Sequence, residues 1–297
     1  MTSTSRQLLA ITNAQAGSAD DVVEAQVIGV LRTGAQVEVA ATSGADDLAR
    51  ALAAHPDLDA VVVLGGDGSL HAVVQALHDA DRLDVLVALV PLGTGNDFAR
   101  TVELPDDPVA AARVVLEGSP RTLDLALTGD GEVVVNAIHV GIGAEAAAAA
   151  GPWKRWLGPV GYVIGSIIAG FTRPGSVVEV TVDGVVVTSG RPVLQVGAGL
   201  GRFVGGGGEL LPEADPGDGE LDVVVSTAAP RLRRLGYAVG LRRGEHHRRD
   251  DVEYLRGANV TVRGDAVRAT NDGELGEPAT EHSWTLLPAA WRLVVPS

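Results

Sequence analysis

Residues 59–76 read DAVVVLGGDGSLHAVVQA. Ala60 to Leu64 is a short run of apolar and β-branched residues, the pattern of a strand covered on both faces. Gly65, Gly66, Asp67 and Gly68 follow and predict a tight turn. Ser69 is suited to N-cap the helix after it, in which Leu70, Val73, Val74 and Leu77 recur at helical spacing. A strand, a glycine turn and a helix start expose backbone N–H groups above the sheet edge, and that arrangement favours a phosphate.

Two familiar phosphate loops are excluded. The Walker pattern needs a Gly–Lys pair, and the only lysine, Lys154, lies far from any such turn. The dinucleotide fingerprint G-x-G-x-x-G is absent from this turn as well. Instead a carboxylate, Asp67, sits inside the glycine run. Beside a nucleotide's phosphates it makes sense if Mg²⁺ or its water lies between them. Equally, an Asp here can simply cap a strand–helix turn.

Residues 86–100, LVALVPLGTGNDFAR, form a second unit of the same kind: an apolar strand, then Pro91, Gly93, Thr94, Gly95, Asn96 and Asp97. Two loops of glycines plus an Asp, at adjacent strand ends of one sheet, mark the place where open α/β sheets bind ligands. The pair GGDGS and PLGTGNDFAR resembles the diacylglycerol kinase catalytic family, lipid kinases that include bacterial diacylglycerol kinases and sphingosine kinases. NAD kinases and 6-phosphofructokinases are more distant and share only the first motif.

The chain has 297 residues, enough for two domains, and 46% are hydrophobic with only 3% aromatic, so its core is built from Val, Leu, Ile and Ala. The absence of cysteine excludes disulfides, a thiolate nucleophile and Cys-based zinc sites. A net charge of -15 argues against a broad basic surface for nucleic acid. The start carries no long apolar stretch behind basic residues, and Val160 to Phe171 is too short and glycine-rich to span a bilayer. These features predict a cytoplasmic, soluble protein.

Taken in order, Gln7 to Thr12 is a strand, Asp20 to Arg32 a helix, Gln36 to Ala41 a strand and Asp46 to Ala54 a helix. With the two glycine units and a helix from Asp107 or Pro108 to Leu116, stopped by Gly118, residues 1–121 are predicted to form a three-layer α/β/α domain with a parallel sheet. From 122 to 297 the pattern becomes short strands joined by glycine turns. Leu123–Leu127 with Val133–Ile138, and Val177–Val182 with Val185–Thr188, read as hairpins. Further strands are expected at Val193–Gly197, Leu221–Ser226, Val260–Arg263, Val267–Thr270 and Trp284–Leu287. Short helices are expected at Ala144–Ala150 and Gly161–Ala169. The whole is a β-sandwich-like domain. Arg231 to Arg243 is a basic amphipathic helix followed by His246, His247, Arg248 and Arg249; it suits a membrane surface or phosphates, or is a solvated face.

The resemblance implies an ATP-dependent lipid kinase with ATP and Mg²⁺ as cofactors, acting in a cleft between the two domains on a lipid at a membrane surface. A peripheral position at the inner leaflet and a homodimer are compatible with it. Diacylglycerol, giving phosphatidic acid, is the family's default acceptor; a sphingoid base, a glycerophospholipid or an NAD-kinase-like soluble acceptor is the alternative, as is a non-catalytic regulator. The resemblance assigns nucleotide contacts to Asn13 and Gly17, in a loop where Ala14 stands for the usual proline, and to Thr42, which is as readily an N-cap. It adds Gly65, Gly66, Asp67, Gly68, Ser69, Leu70 and His71 from the first glycine loop, and Gly93, Thr94, Asn96 and Asp97 from the second. Asp67 and Asp97 would engage Mg²⁺, with Arg100 or Arg202 as further cations. In NDGE, Glu274 would be the general base, with Asp272 orienting the site or a metal-bound water. Residues 212–222, PEADPGDGELD, resemble the family's metal-binding turn, with Asp215, Asp218 and Glu220 at the ligand positions.

Overall fold

A computed structural model describes residues 6–14, 18–141, 175–227 and 230–297. Gly17 and the two helices expected at 144–150 and 161–169 fall outside the described residues. The chain divides into Met1–Leu123 with Ala289–Ser297, and Asp124–Pro288.

In the first unit β1 (Arg6–Asn13), β2 (Ala35–Thr42), β3 (Ala60–Gly65) and β4 (Leu86–Pro91) pair in parallel in the order β2-β1-β3-β4. The helices are α1 (Ser18–Leu31), α2 (Ala45–Ala54), α3 (Asp67–Asp79), α4 (Asp97–Thr101) and α5 (Pro108–Glu117). Strand alternation explains the layers. Leu8, Ala10, Val62, Leu64, Ala88 and Val90 join Val27 and Leu31 of α1 and Ala111, Ala112 and Val115 of α5 in one core. Their strand neighbours Leu9, Ile11, Val61, Val63, Val87 and Leu89 are equally buried, beneath the side that carries Leu48 and Leu52 of α2 and Leu70 and Val73 of α3. Two apolar faces are why these strands read as unbroken hydrophobic runs. Asp107 caps α5 by accepting from Ala110 N at 2.7 Å, and Pro108 takes the first helical position.

Two expectations need correction here, and a third in the second unit. Ser69 is not an N-cap: α3 begins at Asp67 with Gly66 as cap residue, so Ser69 lies in the first turn. The final strand, β18, runs from Ala279 to Val295, far beyond Trp284–Leu287. It carries a positive φ of 51° at Ala289, and beyond it Arg292 and Leu293 pair in parallel with Leu86 and Val87 of β4. There Trp291 packs on Phe98 with ring centroids 5.9 Å apart.

The second unit is a sandwich. One sheet holds β7 (Ala137–Gly141), β10 (Pro192–Gly199), β13 (Leu221–Thr227), β14 (Val252–Gly257), β16 (Ala269–Asn271) and β17 (Glu274–Leu275). The other holds β8 (Ser176–Val182), β9 (Val185–Thr188), β15 (Asn259–Val267) and the first half of β18, and β11 (Phe203–Val204) pairs with β12 (Gly208–Glu209) in a small antiparallel ribbon of their own. Val140, Val196, Val223 and Val225 meet Val180, Val182, Val260, Val262 and Trp284 in the core between them. Val224 faces the other way and joins Tyr237 and Leu241 of α6 (Arg231–Arg242). The expected hairpin of β5 (Ser119–Thr128) with Val133–Ile138 is cut short: only Ala126 and Leu127 pair, with Val134 and Val133 of β6 (Val133–Val134). The chain leaves because the N–H groups of Val135, Asn136 and Ala137 go to a carboxylate, described below, and Ile138 then pairs with Ala198.

Beside α6, His246 has no exposed surface and its Nε2 lies 2.8 Å from the Leu210 carbonyl. Burial, with the neighbouring His247, pushes it down to about 4 against the pull of that hydrogen bond. The folded state therefore resists a proton that the unfolded chain accepts near 6.5. The stability contributed by the neutral ring is complete above about pH 6.5 and is lost as pH falls toward 4. His246→Gln should flatten that slope in urea midpoints measured across the range. Trp291→Ala should cost about 3–5 kcal/mol in urea denaturation, the usual loss for a buried aromatic.

Candidate functional site

A cavity of about 1000 Å³ opens at the C-terminal ends of β1, β2 and β3. It sits where the strand order reverses about β1, the ligand-binding position of open α/β sheets. Asn13, Thr42, Gly66, Gly68, Ser69 and His71 all line it. Thr42 also donates from Oγ1 to the Thr12 carbonyl at 3.3 Å. Gly66 offers no side chain to cap α3, so the first-turn N–H groups are not covered by one. That positive helix end beside an open cavity suits an anion. Leu70 does not reach it: the side chain is buried and its N–H bonds to the Gly66 carbonyl.

The two glycine loops are built against each other. A Cβ on Gly93 would stand 2.6 Å from Gly66 Cα and 2.8 Å from Asn96 Oδ1. Leu92 N donates to the Gly65 carbonyl at 3.0 Å. Asn96 holds a left-handed conformation (φ 51°, ψ 41°) and donates from Nδ2 to the Gly93 carbonyl at 2.8 Å. Its Oδ1 is buried without a hydrogen-bond partner among the described residues.

Asp67 joins the loops. Its two carboxylate oxygens accept from Asp97 N at 3.0 Å and Phe98 N at 2.9 Å, so the first residue of α3 caps α4. Asp97 is itself buried; its Oδ1 accepts from Arg100 Nη1 at 3.0 Å, and that nitrogen also donates to the Gly95 carbonyl at 3.3 Å. Arg100 is thus part of the loop framework. Thr94 is exposed at the loop tip.

In the second unit Asp272 has a φ of 48° and a carboxylate that accepts from Val135, Asn136 and Ala137 N at 2.7, 2.8 and 2.9 Å. Its own N–H donates to the Ala137 carbonyl at 2.9 Å. This carboxylate anchors the 135–137 loop. Two residues on, Glu274 opens β17 with an exposed side chain. Arg202 stacks over Phe203 at 5.5 Å. Asn136 is a residue that sequence reasoning missed; it donates from Nδ2 to the Phe203 carbonyl at 3.0 Å, and no motif marks it.

The acidic turn is closed by its own backbone. Asp215 Oδ1 accepts from Gly217 N at 2.9 Å and Asp218 Oδ1 from Glu220 N at 3.1 Å. The carboxylates of Asp218 and Glu220 then converge on the guanidinium of Arg256, not on one another around a common point. Among the described residues no group of three acidic or histidine side chains is placed to hold a metal ion. With Arg256 in place, the side chains of Asp215, Asp218 and Glu220 do not converge to hold a divalent cation.

The two units match two family models in turn: the diacylglycerol kinase catalytic domain over residues 7–128 and the YegS C-terminal NAD kinase beta sandwich-like domain over residues 136–295. The chain belongs to the diacylglycerol kinase catalytic family. A Pseudomonas putida protein named "Probable lipid kinase YegS-like" is 31% identical over 229 residues, 75% of each chain. A Stenotrophomonas maltophilia protein of the same name is 34% identical over 203 residues, 65% of this chain and 64% of the relative. The crystal structure of a Bacillus anthracis diacylglycerol kinase superposes with a TM-score of 0.78 over 98% of each chain at 22% identity, which shows a common fold. Family membership makes the chain a kinase of the lipid-kinase type, and a kinase of this family uses ATP.

Gly93→Ala should force the two loops apart and weaken ATP binding at least tenfold by calorimetry, with the far-ultraviolet circular dichroism preserved. Asp272→Ala leaves three N–H groups without their charged acceptor. It should cost roughly 2–5 kcal/mol in urea denaturation, since hydrogen bonds to charged groups are worth about 1.5–3 kcal/mol each and water replaces part of them.

Proposed function

We propose that the chain transfers the γ-phosphoryl group of ATP to the free hydroxyl of diacylglycerol, giving phosphatidic acid. The observation that carries the nucleotide half is the α3 N-terminus, without a side-chain cap, beside a cavity of about 1000 Å³. Its volume suits a nucleotide. Phosphoryl transfer asks a protein chiefly for positioning and charge neutralisation. Here the Gly66 and Gly68 backbone and the α3 dipole would receive the phosphates, and Asn13, Thr42 and His71 would line the rest of the site.

Asp67 uses one acceptor position on each oxygen for the α4 cap, which leaves lone pairs free to take a water of hydrated Mg²⁺. Mg²⁺ bound there would supply charge neutralisation for the triphosphate. Asp97 would act by seating the second loop. Glu274, exposed at the start of β17, would take the proton as the hydroxyl oxygen forms its bond to phosphorus and the bond to ADP breaks. A lipid acceptor requires work at a membrane surface, and among the described residues no helix is long and apolar enough to cross a membrane.

The test is labelled ATP with a panel of diacylglycerol, a sphingoid base, a glycerophospholipid and NAD. Label should enter phosphatidic acid. Label only in another acceptor would replace diacylglycerol, and no acceptor-dependent ATP consumption would reject the kinase reading. Glu274→Gln should lower kcat about 10²- to 10⁴-fold with ATP affinity and thermal melting unchanged. A kcat near wild type would remove Glu274 from the reaction.

A further inference from the structure

We propose that Arg256 is the resident cation of the 212–222 turn, and that this turn is held by a guanidinium where a divalent ion would otherwise sit. Register puts it there: Asp222 on β13 pairs directly with Arg256 on β14, so the two side chains leave the sheet on one face. From that root the guanidinium fork reaches forward over the turn. Its Nη2 meets Asp218 Oδ2, its Nη1 lies 2.9 Å from Glu220 Oε2, and its Nε lies 3.6 Å from Asp222 Oδ2.

Asp222 has no exposed surface. Its Oδ1 accepts from the Tyr254 hydroxyl at 2.8 Å, and its Oδ2 has no hydrogen-bond partner among the described residues. A buried carboxylate in that state asks for a positive charge beside it, and Arg256 is the cation in place. Asp218, Glu220 and Asp222 thus face one guanidinium, whose planar fork of donors matches carboxylate oxygens. The remaining turn groups are already satisfied. Gly219 N donates to Asp124 Oδ2 at 2.8 Å, and Asp124 N donates to the Pro216 carbonyl at 2.7 Å. The turn is therefore tied to β5 without a metal.

The experiment is thermal melting of the 297-residue chain without nucleotide, in chelator and in millimolar Mg²⁺, for wild type, Arg256→Gln, Asp218→Asn and the double variant. Wild type should melt identically in both buffers. Arg256→Gln should melt roughly 2–4 °C lower in chelator, the shift expected when a partly exposed ion-pair hub is lost from a domain of this size. Mg²⁺ should restore part of the loss by binding the vacated carboxylates, and the double variant should not respond. A wild-type rise with Mg²⁺ that disappears in Asp218→Asn would overturn the assignment, as would an Arg256→Gln protein that neither falls in chelator nor gains with Mg²⁺. If Arg256→Gln does not fold, the Mg²⁺ response of wild type against Asp218→Asn decides alone.

Discussion

A carboxylate accepting backbone N–H groups from a remote loop is the interaction on which the rest of this molecule depends. Asp67 holds the N–H groups of Asp97 and Phe98, and through them presses the second glycine loop against the first. Together with the Leu92 N to Gly65 carbonyl bond, it holds Gly66 and Gly93 within the space of a missing side chain. A charged acceptor makes such bonds about twice as strong as neutral ones. Asp272 repeats the device in the other unit with three donors. In each case the motif aspartate is an anchor first, and any dealing with a ligand uses the acceptor capacity left over.

That division of labour explains the composition of the NDGE motif at 271–274. Asp272 is tied down and takes a positive φ, Gly273 follows at 91°, and Glu274 then emerges exposed. A rigid anchor two residues from an unconstrained carboxylate gives that carboxylate a fixed root with a free end. A general base needs this combination, since its backbone must not wander while its head must meet and leave a proton.

The parallel sheet, its helices and the strand-rich second unit were legible because their signals are local. Val61–Val63 alternate between two buried faces, and Pro108 and Asp107 announce a helix start. The glycine loops were legible as a pair for the same reason. The partners were not. Nothing near Asp67 says that its carboxylate caps α4 in place of α3, because the donors lie thirty residues on. Ser69 looked like a cap because a hydroxyl after glycines is the usual sign, yet the cavity-facing turn keeps Gly66 at that position and leaves the helix end open. The long course of β18 was hidden because Pro288 interrupts the strand pattern after Leu287, and the positive φ with which Ala289 carries the chain onward leaves no mark in the sequence.

Register is the information the sequence withholds most completely, and the acidic turn shows what that costs. Read along the chain, Asp215, Asp218 and Glu220 are a dense cluster of carboxylates with no cation in sight, and a hard metal ion is the natural complement. Read across the sheet, Asp222 faces Arg256, and the missing charge arrives from a strand thirty-four residues away. In a chain of net charge -15 with a single lysine, every local positive charge has to come from arginine, histidine, a helix end or a bound ion. The two sites draw on different sources. The glycine loops leave a helix end open, which an anion can exploit, whereas the acidic turn is met by a side chain built into the fold, so one place is shaped for a ligand to come and go and the other is closed.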